Sequence, residues 1–179
     1  FISVLPFGLK DHRLPGQELD ASDRDGGVNI RNAPVFGMYQ PDGVAEFEVG
    51  GRRFVVTANE GDAREWGNFV EEIRVGSSAY ALDPAAFPDA AALKTDAALG
   101  RLTVSRHTGD TDGDGDFDQI HVFGGRSISV WEVTDTALTR VFDSGSQIER
   151  ILAEQYPALL DDTRSDNKGP EPEGLSLAT

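Results

Sequence analysis

Ala45-Glu-Phe-Glu-Val-Gly-Gly-Arg-Arg-Phe-Val-Val-Thr-Ala58 alternates apolar and polar residues up to Gly50-Gly51, then runs β-rich to Ala58. Two glycines between such runs supply the positive φ of a two-residue turn, so the stretch predicts a β-hairpin. His121-Val-Phe-Gly-Gly-Arg-Ser-Ile-Ser-Val-Trp131 has the same layout, with Arg126 after its glycines where the first has Arg52. Two such hairpins around a long insertion predict repeated antiparallel sheet modules, such as propeller blades. Apolar runs at Phe1–Leu9, Val35–Tyr39, Arg101–Ser105 and Thr139–Asp143 read as further strands. Asp83-Pro84 opens a helix that runs to about Leu99, broken by Pro88 and ended by Gly100. Ser146 and Glu149 form a capping box for a second helix, stopped by Pro157, whose Ile148, Ile151, Leu152 and Tyr156 stripe is expected in the core. The fold class is therefore mainly β, with short helical insertions.

Asp110-Thr-Asp-Gly-Asp-Gly-Asp-Phe-Asp118 enters the second predicted hairpin. Its alternating carboxylates repel one another unless a cation lies among them, and calcium accepts six to eight oxygen ligands in a flexible shell. Asp110, Asp112, Asp114 and Asp118 fall on positions one, three, five and nine of an EF-hand loop, and Gly115 on the sixth. The seventh position offers the backbone carbonyl of Asp116. The twelfth is His121 rather than a bidentate Glu, and strands replace the flanking helices. Residues 110–118 thus read as a calcium loop feeding a β-hairpin, its last ligand coming from elsewhere or from water. The alternative is a solvated acidic turn. Asp20, Asp23 and Asp25 make a second, weaker acidic turn within the polar loop from Asp11 to Gly27.

The 179 residues carry a formal net charge of -15, which excludes a nucleic-acid partner, since phosphate backbones need a basic face. The absence of cysteine removes disulfide and thiol chemistry. No run is long and apolar enough to span a membrane, and none reads as a signal peptide. The chain begins at Phe1 inside an expected strand, as a segment cut from a longer protein would.

Two further polar clusters sit at expected strand ends, where sheet proteins place binding groups. One is Asn59-Glu60-Gly61-Asp62-Ala63-Arg64-Glu65, with Glu71, Glu72 and Arg74 close behind; a plain acidic loop fits its spacing equally well. The other lies in the polar, Pro-rich stretch 161–174, which reads as loop or as partly disordered, and where Pro170 and Pro172 hold Glu171 and Glu173 in an extended path. Arg164 and Lys168 beside them suit a phosphate or carboxylate. Nucleophile-elbow, Walker and H-E-x-x-H motifs are absent. His12, His107 and His121 are scattered and read as structural, and Trp66 and Trp131 as packing residues.

Leu9-Lys-Asp-His12, Leu19-Asp-Ala-Ser-Asp23, Pro34-Val-Phe-Gly-Met-Tyr39, Thr57-Ala-Asn-Glu-Gly-Asp-Ala-Arg64, Leu82-Asp-Pro84, the Gly109–Asp118 run, Gly125-Arg-Ser127, Phe142-Asp-Ser-Gly145 and Ser165-Asp-Asn-Lys-Gly-Pro-Glu-Pro-Glu-Gly174 together resemble the choice-of-anchor I family, nearly end to end. The resemblance implies a secreted or surface-anchored protein, often labelled alkaline-phosphatase-like. It also implies that the chain is an internal segment of a larger β-propeller domain. By analogy with acidic, calcium-bearing propellers of the phytase type, Glu60, Asp62, Glu171 and Glu173 would be catalytic and Arg64, Arg164 and Lys168 would hold phosphate. Two functions stay open: a metal-dependent phosphoesterase acting on a small phosphate ester, and a non-catalytic module binding a cell-surface ligand. Convergence of the Glu60–Arg64 and Pro170–Glu173 segments around an ion favours the first; wide separation favours the second. Exposed sheet edges predict homodimerisation.

Overall fold

The chain reverses at Gly50-Gly51, whose φ angles are 59° and 72°, and the first hairpin forms in the register its two-residue turn dictates. Val49 lies opposite Arg52, Phe47 opposite Phe54 and Gly43 opposite Ala58. The computed structural model describes residues 4–178, so the first residues of the expected Phe1–Leu9 strand lie outside the described ones. Among the described residues the strands are β1 (Leu9–Asp11), β2 (Phe36–Met38), β3 (Gly43–Val49), β4 (Arg52–Asn59), β5 (Glu65–Trp66), β6 (Phe69–Val70), β7 (Glu72–Arg74), β8 (Thr103–Ser105), β9 (His121–Phe123), β10 (Ser127–Val133) and β11 (Leu138–Asp143). The helices include α1 (Ala90–Leu93) and α2 (Gln147–Gln155), with a π turn at Asp96–Gly100 and 3-10 turns at Pro157–Leu159 and Asp162–Arg164.

The strands form two main sheets and a two-stranded β5-β6 ribbon. One main sheet runs β11-β10-β4-β3, all antiparallel; the other runs β1-β2-β9-β8-β7, with β2 and β9 parallel. Mainly β is thus the fold class, and no closed barrel or propeller forms among the described residues. The apolar core lies on the five-stranded sheet. Val104, Ile120 and Val122 meet Leu19, Val35, Val75, Tyr80 and Leu102, each fully buried. Each such side chain contributes about 1.5–3 kcal/mol by leaving water.

The second predicted hairpin does not form. β9 pairs with β2 and β8, whereas β10 pairs with β4 and β11, so Gly124-Gly125-Arg126 crosses between sheets instead of turning within one. The reason is close approach. A Cβ added to Gly61 would lie 1.9 Å from the Gly124 nitrogen, and one added to Gly124 would lie 2.0 Å from the Glu60 carbonyl oxygen. Glycine is needed there because two backbones touch, a signal that looks in sequence like a Gly-Gly turn.

Other expectations change. The Asp83 carboxylate accepts from the Ala85 and Ala86 amides, but Pro88 limits the regular helix to the four residues of α1. Ser146 precedes α2 without a side-chain cap: its hydroxyl goes to Glu18, and Glu149 turns inward instead of closing a capping box. The α2 stripe is not core, since Ile151 and Tyr156 are 44% and 52% exposed. Trp66 is also exposed and stacks on Phe69, while Trp131 is buried and donates to the Thr57 hydroxyl. Residues 161–174 are packed rather than disordered, with Ser165, Asp166 and Pro170 buried.

Candidate functional site

The Asp110–Asp118 loop is closed at its base before any ion is considered. The Gln119 amide donates to the Gly109 carbonyl at 3.0 Å, and Phe117 exchanges backbone hydrogen bonds with Ala81 and Asp83. The Phe117 ring stacks on buried Tyr80, 4.0 Å between centroids. Within the loop the carboxylates take backbone donors in sequence. Asp110 accepts from Gly113 and Gly115, Asp112 from Asp114, Asp114 from Asp116, and Asp118 from the Thr111 amide and hydroxyl. These bonds orient Asp110, Asp112 and Asp118 so that one oxygen from each lies within 4.8 Å of the others. Asp114 and Asp116 stand outside that trio. The Thr111 hydrogen bonds pull the Asp118 carboxyl below its usual pKa. Asp116 is raised, first by desolvation and then by the charges of Asp114 and Asp83. Asp83, whose amide donates to the Phe117 carbonyl, thus flanks the loop besides opening the following turn. His121 is not a ligand here: it is buried, its Nε2 sits 3.0 Å from the Gln119 side-chain oxygen, and burial lowers its pKa.

The other two clusters converge. Lys168 Nζ lies 3.4 Å from Glu60, 3.3 Å from Asp62 and 3.6 Å from Glu171. Desolvation opposes its charge, and the Asp62, Glu171 and Glu60 carboxylates outweigh it, so the ammonium pKa rises. Glu173 joins from the C-terminal segment, because its carbonyl oxygen would lie 2.3 Å from a Cβ on Gly43; only a glycine lets that segment pass the start of β3. Asp42, Glu60 and Glu173 then place one oxygen each within 4.8 Å of one another. Asp42 was not singled out in the sequence. Its amide donates to the Ala58 carbonyl, which fixes it across from the strand end that carries Glu60. A cleft of about 230 Å³ opens between Gln40, Pro41, Asp42, Glu60, Gly61 and Asp62. Gln40, at a φ of 39°, bridges its floor by donating to the Asp62 carbonyl and accepting from the Gly124 amide.

Each cation assigned to phosphate has a carboxylate partner. Arg64 grips Glu71 through Nε at 2.9 Å and Nη2 at 3.0 Å, and buried Glu71 also accepts from the Ser105 hydroxyl. Arg164 holds both oxygens of Glu171, at 2.7 and 2.6 Å. Among the described residues, Lys168 pairs with Glu60, Asp62 and Glu171 and Arg164 with Glu171, and no salt bridge reaches Asp42 or Glu173. Arg74 is engaged elsewhere, with Asp166.

Behind the cleft lies a buried polar interior. Arg126, 2% exposed and at a φ of 50°, donates Nη1 to the Asp20 carbonyl at 2.5 Å, and Glu149 lies 3.4 Å from that nitrogen. Its Nη2 donates to the Ser165 and Asn167 carbonyls. Lys10, wholly buried, donates to the Gly125 and Gly145 carbonyls and pairs with Asp143 at 3.3 Å. Asp143 accepts from Ser127 and Ser129, which also receive Asn59. Burial lowers the pKa of Lys10 and Arg126 and raises that of Glu149. Paired buried charges of this kind fix one arrangement of the chain, because removing either partner strands the other. Much of the Lys10, Asp20, Asn59, Arg126, Asp143 and Ser165 sequence motifs is therefore structural stitching.

The sequence profile of the choice-of-anchor I domain matches residues 1–179. Gigasin-3a of Magallana gigas is 40% identical over 99 residues, which are 48% of this chain and 34% of that protein. The mesenchyme-specific cell surface glycoprotein of Strongylocentrotus purpuratus is 27% identical over 215 residues, covering 98% of this chain and 27% of its own length. The chain thus spans about a third or less of these relatives. No solved structure matches it.

Proposed function

The chain belongs to the choice-of-anchor I domain family, and on that premise we propose that it is a calcium-stabilised β-module of an extracellular or cell-surface protein that acts by binding rather than by hydrolysis. The name of the Strongylocentrotus purpuratus relative, a cell surface glycoprotein, supports the location. The observation that carries the reading is the Asp110, Asp112 and Asp118 trio, drawn together on a loop whose base is pinned to the apolar core. Calcium suits three carboxylates plus backbone carbonyls and water. The four-stranded β11-β10-β4-β3 sheet has the make-up of one propeller blade, and we take it as such within the longer proteins of the family.

Charge weighs against phosphate as the ligand of the cleft. Arg64 and Arg164 are held bidentately by carboxylates and Lys168 is ringed by three. An incoming dianion meets net negative charge. A cationic group or a calcium-bridged surface ligand fits better.

The convergence of Glu60, Asp62, Glu171 and Glu173 favours a second reading, a phosphoesterase in which Asp42, Glu60 and Glu173 would hold a calcium ion that would supply positive charge and an acidified water. Calorimetric titration of calcium, followed by p-nitrophenyl phosphate assayed for release of p-nitrophenol, separates the two. The binding reading expects calcium heat and no turnover. Turnover that depends on calcium and disappears in a Glu60→Gln, Glu173→Gln double variant would overturn it.

A further inference from the structure

We propose that the turn from Asp20 to Asn29 holds a second divalent cation, calcium by its all-oxygen chemistry, with the Asp25 carboxylate as its anchoring ligand. The Asp25 side chain is only 6% exposed. Both of its carboxylate oxygens are buried, and neither receives a hydrogen bond. One cation approaches, the Arg31 guanidinium, 3.6 Å from Oδ2; it is 46% exposed and its Nη2 is turned to the Ala97 carbonyl. The other guanidiniums nearby are engaged. Arg24 and Arg101 both pair with Asp23, and Arg101 reaches on to Asp166.

Asp20, wholly buried, ties the turn across its mouth: one oxygen accepts from the Ser22 amide and the other from the Asn29 amide. That leaves each Asp20 oxygen with a free lone pair.

A buried carboxylate without donors is among the costlier states a folded chain can hold. A divalent cation satisfies both oxygens at once and draws on Asp20, backbone carbonyls and water for the rest of its shell. The Asp110–Asp118 loop is a different part of the chain, so the two sites stand or fall separately.

Bound calcium is to be counted by native mass spectrometry in the wild-type chain, Asp25→Asn, Asp112→Ala and the double variant, with melting temperatures in calcium and in EDTA. Asp25→Asn should hold one calcium fewer than wild type while keeping the ion sensitive to Asp112→Ala, and the double variant should lack both. In EDTA, Asp25→Asn should melt at or above wild type, since it removes an unrelieved charge; in calcium it should melt below. An unchanged calcium count, or a variant less stable than wild type by the same margin with and without calcium, overturns the proposal and assigns Asp25 to Arg31 or to a buried water. Should Asp25→Asn fail to fold, calcium-soaked crystals of the wild-type chain decide: an anomalous peak bonded to Asp25 supports the site, and its absence at full calcium overturns it.

Discussion

Replacing Arg126 by Met keeps the length of the side chain and removes its charge and all its donors. In the folded chain Arg126 satisfies the Asp20, Ser165 and Asn167 carbonyls and neutralises Glu149, which is 1% exposed. Stranding a buried charge costs about 3–5 kcal/mol, and each carbonyl left without a donor adds about 1–3 kcal/mol where water cannot enter. A loss of at least about 5 kcal/mol is therefore expected, a large share of the roughly 5–15 kcal/mol that holds a domain together. For a chain of this size it corresponds to a drop of about 10–20 °C in melting temperature. The double variant Arg126→Met, Glu149→Met should recover part of it, because the unpaired carboxylate goes too. Urea and thermal unfolding followed by circular dichroism measure both. A single variant within about 1 kcal/mol of wild type, or a double variant no better than the single, would refute the view that this motif stitches the interior.

Three further outcomes follow from the same geometry. In calcium at a hundredfold its dissociation constant, the Asp110–Asp118 loop should add about 2.7 kcal/mol, or about 5–11 °C of melting temperature over EDTA; Asp112→Ala should abolish that part of the EDTA effect, and an unchanged response in the variant counts against the loop. His12 is buried, and desolvation, then the charges of Lys10 and Arg126, hold its pKa to about 3. The unfolded chain binds that proton near pH 6.5, so the stability due to neutral His12 is complete above that value and drains by about 1.4 kcal/mol per unit as pH falls toward 3. His12→Asn should flatten the slope by up to one proton, and an unaltered slope from pH 6.5 to 4 contradicts the assignment. Glu60→Gln with Glu173→Gln should raise the stability of the calcium-free chain slightly, by relieving repulsion at the cleft, as thermal melts in EDTA would register.

How much of this was legible in the sequence depends on how local the cause is. Gly50-Gly51 gives its hairpin because a two-residue turn sets the register by itself. That register also places Asp42 across from Asn59, so the partner of Glu60 was implied by the hairpin and went unread. Gly124-Gly125 misleads because Gly124 answers to Gly61 and Glu60, more than sixty residues away. Ser146 and Glu149 have the spacing of a capping box, yet a buried guanidinium at Arg126 takes Glu149 inward. Similarly, the apolar stripe of α2 is periodic but lies on the outer surface, since periodicity says which residues share a face and not what covers it. The Asp110–Asp118 loop is legible as a candidate calcium loop from the spacing of its aspartates and glycines. Its anchoring by Leu82, Asp83 and Phe117 needed the fold. Convergence of Glu60 and Asp62 with Glu171 and Glu173 was posed in advance as a choice between functions; the structure brings them together, though around the Lys168 ammonium.

The most direct measurement is an anomalous difference map from crystals grown in millimolar calcium. A peak at about 2.3–2.6 Å from oxygens of Asp110, Asp112 and Asp118 is the predicted result. Ordered water alone among those three carboxylates, in a lattice that leaves the loop open to solvent, would contradict it.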